Sequence, residues 1–269
     1  MTIPTPAPDL TAIVTGASSG IGEALALELA GRGYGVTLVA RSADRLVALA
    51  ERLRATGVRA DALPCDLADR SARAELPGRV EALGLTAGIV VNNAGLSTMG
   101  PVSSADVDAE LNMVEVDVAA VAHLCTMFVV PMVERGTGGI LNVASTAAFQ
   151  PLPGQAGYGA AKAFVLSYSR ALREECGGQG VHVTALCPGP VETGFADAAG
   201  ISREEAQDSL PGFMWESPEA VARCGVDGLA ANRAVAIPGL ANRVGAYAGY
   251  LTPRALLLPL LRRRHPRMT

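Results

Sequence analysis

The chain has 269 residues, with 22 Lys+Arg against 26 Asp+Glu and a formal net charge of −4. Hydrophobic residues make up 49%, charged residues 18%, and the mean hydropathy is +0.29. Such a composition excludes a disordered chain, and the mild acidity leaves no basic surplus for the phosphates of a nucleic acid. Met1–Asp9, with Pro4, Pro6 and Pro8, lacks a basic region followed by an apolar one and reads as a flexible lead, neither exported nor targeted. Apolar runs then alternate with longer segments of helical period. The runs are Ala12–Thr15, Val36–Ala40, Ala60–Cys65, Ile89–Asn92, Ile140–Ser145, Val181–Cys187 and Val235–Pro238. The helical segments include Ile21–Arg32, Ala43–Thr56, Asp106–Glu134, Ala156–Glu175 and Pro218–Ala231. Strands that are apolar throughout suit a parallel sheet buried on both faces, and their alternation with helices predicts a doubly wound α/β fold. Ser42 and Ser217 are candidate N-caps, and Gly33, Gly57 and Gly177 follow helical segments. No linker splits the chain, so one domain is expected over residues 1–269.

Cys65, Cys125, Cys176, Cys187 and Cys224 are scattered and odd in number, which predicts reduced thiols in a cytoplasmic protein and no metal site.

Thr15-Gly16-Ala17-Ser18-Ser19-Gly20-Ile21-Gly22 follows the first strand and opens the first helix. A dinucleotide pyrophosphate needs a sharp turn, a close backbone approach and a helix N-terminus, and small residues at Gly16, Gly20 and Gly22 permit all three. The G-x-x-x-G-x-G spacing differs from the commoner G-x-G-x-x-G, and glycines alone would also suit a plain tight turn. The second strand ends in Arg41-Ser42, with no carboxylate before Asp44. A guanidinium and a hydroxyl there suit an adenosine 2′-phosphate, which favours NADP(H) over NAD(H). Asp66-Leu67 after the third strand is placed to touch the adenine, although Asp66 could equally cap a helix.

Tyr158 and Lys162 stand four apart on a predicted helix and so share a face. An ammonium beside a phenol favours the phenolate and lowers its pKa from about 10 toward neutrality, which suits proton exchange with a carbonyl or alcohol. Ser145, thirteen positions before Tyr158, can hold the same substrate oxygen.

Together with Asn92-Asn93-Ala94-Gly95 and Cys187-Pro188-Gly189, these motifs resemble the short-chain dehydrogenase/reductase family, from about Thr11 to Ala196 and more weakly to about Leu240. The resemblance implies a Rossmann-type domain with a seven-stranded, mainly parallel sheet and helices on both faces. It implies a nicotinamide cofactor, Tyr158 as general acid/base, Lys162 binding the nicotinamide ribose and Ser145 orienting the carbonyl. It also implies cofactor contacts from Gly16, Ser18, Ser19, Gly20, Ile21, Gly22, Asn93, Ala94, Gly95, Pro188, Gly189, Val191 and Thr193. One departure stands out: where the family commonly has an asparagine that holds a relay water, this chain has Asp117, and Asn112 lies five positions too early. A carboxylate there can join the relay and also compete for Lys162.

His123 reads as a packed or interface residue, Met99, Met113, Met127 and Met132 as core or interface fillers, and Arg173, Glu174 and Glu175 as a solvated helix end. Three loops are greasy: Leu96–Met99, Ala147–Pro153, and a lid at about 190–216 carrying Phe195, Phe213, Met214 and Trp215. They suit a small hydrophobic carbonyl substrate such as a 3-oxoacyl, steroid-like or aryl ketone. The apolar, then basic, tail at about 247–269 is too short to span a bilayer. It reads as a cap over the cleft or an oligomer contact in preference to a membrane anchor. The family's long helices commonly pair, so a homodimer or homotetramer is expected. NADPH-dependent ketone reduction is the leading reading; NADP-dependent alcohol oxidation and a catalytically idle NADP-binding sensor or scaffold are its rivals.

Overall fold

The computed structural model describes residues 3–192 and 211–264. Seven strands form one parallel sheet: β1 (Leu10–Thr15), β2 (Gly35–Ala40), β3 (Ala60–Pro64), β4 (Thr86–Asn92), β5 (Gly138–Val143), β6 (Val181–Leu186) and β7 (Val235–Ala236). Their order is β3-β2-β1-β4-β5-β6-β7. The winding reverses between β1 and β4, which is where an open α/β sheet forms its ligand crevice. The strands match the apolar runs to within a few residues because both faces are covered. Ala12 and Val14 of β1 point into one core cluster and Ile13 into the other, each at most 1% exposed.

Helices α1 (Gly20–Gly31), α2 (Ala43–Arg54) and α7 (Pro218–Ala230) supply the first cluster; α3 (Arg70–Glu81), α5 (Ala120–Arg135) and α6 (Ala156–Glu175) supply the second. The expected Asp106–Glu134 helix is α4 (Val107–Val114) running into α5 through a π-helical turn, Glu115–Ala119. This run is long and apolar enough to cross a membrane by composition, but Val121, Leu124, Phe128 and Met132 are buried in the core.

Several expectations need correction. The N-terminal lead is anchored: Ile3 packs against the core, Pro4 is buried, and its carbonyl accepts the Tyr34 hydroxyl at 2.7 Å. Ser42 stands at the start of α2 without a side-chain capping bond, whereas Ser217 does cap α7, accepting from Ala220 N at 3.2 Å. Gly177, by contrast, does follow α6, which ends at Glu175 with Cys176 at its C-cap position, and the left-handed residue comes next at Gly178 (φ +79°). Helix α3 lacked an apolar stripe in the sequence because Arg73, only 2% exposed, faces inward, donating to the Leu67 carbonyl and to Glu115 Oε1 at 2.5 Å. The tail forms two helices, α8 (Leu240–Leu251) and α9 (Arg254–Arg264).

Candidate active site

The glycine turn follows from β1. Thr15 Oγ1 donates to the Val91 carbonyl (3.1 Å) and accepts from the backbone N–H of Asn93 (2.9 Å) and Ala94 (3.1 Å), locking β1 to β4 at their carboxyl ends. Asn93 Nδ2 donates to the Thr15 carbonyl at 2.9 Å. Gly16 takes φ +65°, a left-handed value, and a Cβ on Gly22 would lie 2.2 Å from the Gly16 carbonyl oxygen and 2.4 Å from Asn93 Nδ2. No side chain at these positions is compatible with the turn. Helix α1 opens here with Ser19 at its N-cap position and no side-chain capping bond, so its first N–H groups and dipole face outward from the turn. These features fit a dinucleotide pyrophosphate: the cradle is one that a Cβ would fill, and its donors have no carboxylate cap.

A buried polar lattice aligns the next strands. Asn92 Nδ2 donates to Asn142 Oδ1 (2.8 Å), and Asn142 Nδ2 donates to Ser169 Oγ (2.9 Å), which itself donates to the Val165 carbonyl (2.6 Å). Buried amides must be hydrogen-bonded, so this chain fixes β4, β5 and α6 relative to one another. Sequence reasoning gave Asn142 and Ser169 no role; an asparagine within an apolar strand was the available signal.

On that frame α6 carries Tyr158 and Lys162. Lys162, 4% exposed, places its ammonium 5.6 Å from the centroid of the Tyr158 ring, 3.0 Å from Asp117 Oδ2 and 3.3 Å from the Val143 carbonyl. Asp117 is fully buried because the π-helical turn rotates it inward, and its Oδ1 accepts the Leu96 N–H at 2.7 Å. Gly95 leaves room for the pair: a Cβ there would stand 3.1 Å from both Asp117 Oδ2 and Lys162 Nζ. Burial pulls the Lys162 ammonium toward the neutral form, yet the Asp117 charge and the neighbouring Tyr158 outweigh it and hold its pKa above the ordinary 10.5. Lys162 is also the sole lysine of the sequence; every other long cationic side chain is arginine.

Ser145 lies just beyond β5. Its Oγ accepts the Ala147 N–H (3.1 Å) and reaches the Pro188 carbonyl (3.4 Å) after β6. Buried Cys187 and Cys125 are pushed up to about 12 by desolvation, so both thiols are protonated and inert near neutrality. His123 is a packing residue as expected, partly buried beside Arg73, whose Nε approaches its Nδ1 at 3.5 Å.

The structure thus gathers the glycine turn, Asn93–Gly95, Asp117, Ser145, Tyr158, Lys162 and Pro188–Gly189 beyond the carboxyl ends of β1, β4, β5 and β6. Arg41 and Ser42 are exposed just past β2. Leu67 is buried; Asp66 is exposed and accepts the Ala68 N–H at 3.0 Å, while the cap of α3 is Asp69. Val191 pairs with Glu216 in an isolated bridge. Thr193, Phe195 and most of the expected lid lie outside the described residues. Two features were not foreseen. Asn242, 1% exposed on α8, packs so tightly on Gly189 that a Cβ there would be 2.3 Å from its Oδ1. The greasy loop Leu96–Met99 is also tied by polar tethers, Gln155 Nε2 to Ser97 Oγ (3.1 Å) and Thr98 to Glu110. The Phe149 ring on the 147–153 loop is met edge-on by Tyr247 and Tyr250 of α8, at 5.7 and 6.4 Å between centroids.

A parallel sheet wound in this order, with a glycine turn at the reversal point and a phenol–ammonium pair beside it, is a Rossmann-type α/β fold with its crevice at the carboxyl ends of the strands. The sequence model of the short chain dehydrogenase family matches residues 10–203, and the chain belongs to that family, whose members act on alcohol and ketone groups. A short chain dehydrogenase of Pseudocercospora fijiensis is 37% identical over 185 residues, covering 68% of this chain and 60% of that one. The match therefore spans less than two thirds of that relative's length. Among solved structures, a short-chain dehydrogenase from Sphingobium yanoikuyae in complex with NADPH is 33% identical with a TM-score of 0.79, covering 93% of this chain and 95% of that one. The bulky-bulky ketone specific alcohol dehydrogenase from Comamonas testosteroni is 30% identical with a TM-score of 0.74, covering 93% of each chain.

Proposed function

We propose that this protein reduces a bulky, hydrophobic ketone to a secondary alcohol with NADPH. The observation that carries the reading is the buried Lys162–Asp117 pair set against the Tyr158 ring at the crevice. Besides neutralising Asp117, a charged lysine kept dry at that point stabilises the phenolate that forms when the neighbouring tyrosine gives up its proton. When bound, the nicotinamide supplies the hydride that adds to the carbonyl carbon. Ser145 Oγ orients the carbonyl oxygen, and Tyr158 delivers its phenolic proton to that oxygen as negative charge develops there, so C=O becomes CH–OH. Asp117 acts through Lys162, holding the ammonium charged and in place. The exposed Arg41 and Ser42, with no carboxylate at the strand end, support a 2′-phosphate and hence NADPH over NADH.

The hydrophobic substrate class is supported by the Phe149 loop under Tyr247 and Tyr250 and by exposed Phe213, and it agrees with the ketone named for the Comamonas testosteroni relative. Exposed Val107, Leu111 and Val114 on α4, Val130 on α5 and Phe164 on α6 support association of copies through these helices. The test is NADPH consumption over a panel of acyl-thioester, steroid and aromatic ketones. Turnover of at least one bulky ketone, lost in Tyr158→Phe, is expected. Cofactor binding without turnover of any member, unchanged in Tyr158→Phe, would establish the idle-sensor reading instead.

A further inference from the structure

Helices α3, α5 and α6 cover one face of the sheet, and the π-helical turn Glu115–Ala119 leads into the middle one, with α3 packed on α5 and α6 on the turn. The turn carries two carboxylates, Glu115 and Asp117. Residues two apart on a helix point to opposite flanks, so these two do not face each other. Each meets a buried cation from a neighbouring helix. Asp117 Oδ2 lies 3.0 Å from Lys162 Nζ of α6, and Glu115 Oε1 accepts from Arg73 Nη2 of α3 at 2.5 Å. Lys162 is 4% exposed and Arg73 2%.

Arg73 is itself fixed at two further points. Its Nη1 donates to the Leu67 carbonyl after β3, and its Nε approaches His123 Nδ1 of α5 at 3.5 Å. Burial and the Arg73 charge keep that imidazole below its ordinary pKa, so it meets the guanidinium as a neutral acceptor. Among the described residues the one ion pair of Arg73 is with Glu115. Burying this guanidinium costs desolvation that an apolar side chain in the same inward position would avoid. A π-helical turn departs from regular helical hydrogen bonding and is rare; here cations grip it from both flanks. We propose that Arg73 and Glu115 are positioning residues: between Arg73 on one flank and Lys162 on the other, the turn is clamped in the register that presents Asp117 to Lys162. Arg73 touches none of the reacting groups and acts through Glu115. The consequence for turnover rests on the reductase reading above, whereas the clamp itself is read without cofactor or substrate.

The test compares Arg73→Met, Glu115→Leu and Glu115→Gln with wild type. Carbon-13 at the lysine Cε reports Lys162 alone, and its titration is followed in the protein without ligands. Asp117, Tyr158 and Cys187 are the ionisable groups acting on that ammonium. Thermal melting and NADPH-dependent reduction of a bulky ketone are recorded on the same samples. Arg73→Met and Glu115→Leu are expected to move the Lys162 titration to lower pH, because a displaced Asp117 no longer offsets burial in full. Both are expected to lower kcat roughly 3- to 30-fold with KM little changed. Glu115→Gln keeps an oxygen that accepts from Arg73 and is expected to lie between Glu115→Leu and wild type. Should Glu115→Leu fail to fold, Arg73→Met carries the test, since Glu115 is 40% exposed and water can take the place of the guanidinium. Lower melting temperatures with an unmoved Lys162 titration would show that the pair serves stability alone and would overturn the proposal. A wild type that reduces no ketone, with the titration still displaced in Arg73→Met, would uphold the clamp and sink the reductase reading alone.

Discussion

Replacing Lys162 by methionine strands the Asp117 carboxylate, fully buried, with the Leu96 N–H still donating to its Oδ1. At the 3.0 Å separation of the pair, an effective dielectric of about 20 gives a gross attraction of about 5 to 6 kcal/mol. Stripping one partner from a buried pair costs about 3–5 kcal/mol once the site relaxes. For a chain of this size that corresponds to a melting temperature lower by roughly 6–20 °C. Adding Asp117→Asn to the Lys162→Met background removes the stranded charge and keeps an acceptor for Leu96, so stability should return to within about 1–2 kcal/mol of wild type. Ketone reduction should not return with it, staying down by about 100-fold or more, because neither single nor double variant has the ammonium beside Tyr158. Urea unfolding of all three proteins at neutral pH, with NADPH consumption measured on the same samples, reads both quantities. A Lys162→Met variant within about 1 kcal/mol of wild type, or a double variant no more stable than the single, would refute the buried ion pair. The pH dependence has a definite sign. Lys162 is held above 10.5 in the folded chain, so its contribution is complete below about 10.5 and disappears as pH climbs through the folded value. The stability gap between wild type and Lys162→Met should therefore close only in strongly alkaline solution.

Two further substitutions test the cofactor side. Gly22→Ala places a methyl group 2.2 Å from the Gly16 carbonyl oxygen, so the turn must open; NADPH affinity measured by fluorescence titration should fall at least tenfold (roughly 1.4 kcal/mol), and unchanged affinity would remove the turn from the binding site. Arg41→Asp exchanges a phosphate fork for a repelling carboxylate and should erase about 100-fold of the NADPH-over-NADH preference in kcat/KM; an unaltered ratio would show that Arg41 does not read the 2′-phosphate.

Much of the fold and the core of the site could be read from residue order alone, because a two-faced parallel sheet forces apolar strands and because turn glycines and an i, i+4 Tyr158/Lys162 pair carry their geometry in their spacing. Helix α3 escaped that reading since Arg73 occupies an inward position that the hydrophobic pattern expects to be apolar. The anchoring of the N-terminal lead also escaped it, being a long-range matter of Tyr34 reaching the Pro4 carbonyl. Competition between Asp117 and Tyr158 for Lys162 was foreseeable from residue types, but the π-helical turn that buries Asp117 leaves no mark in the sequence. The lattice of Asn92, Asn142 and Ser169, and the seat of Asn242 on Gly189, are contacts between distant segments that no local spacing encodes.

Because Lys162 is the sole lysine, lysine labelled with carbon-13 at Cε gives one resonance from the whole chain, and its chemical shift against pH reads the ammonium directly. The account predicts that this resonance titrates above 10.5 in the wild type and at lower pH in Asp117→Asn, where burial is no longer outweighed by the carboxylate. A wild-type resonance showing a neutral amine at physiological pH, or one whose titration ignores Asp117→Asn, would contradict it.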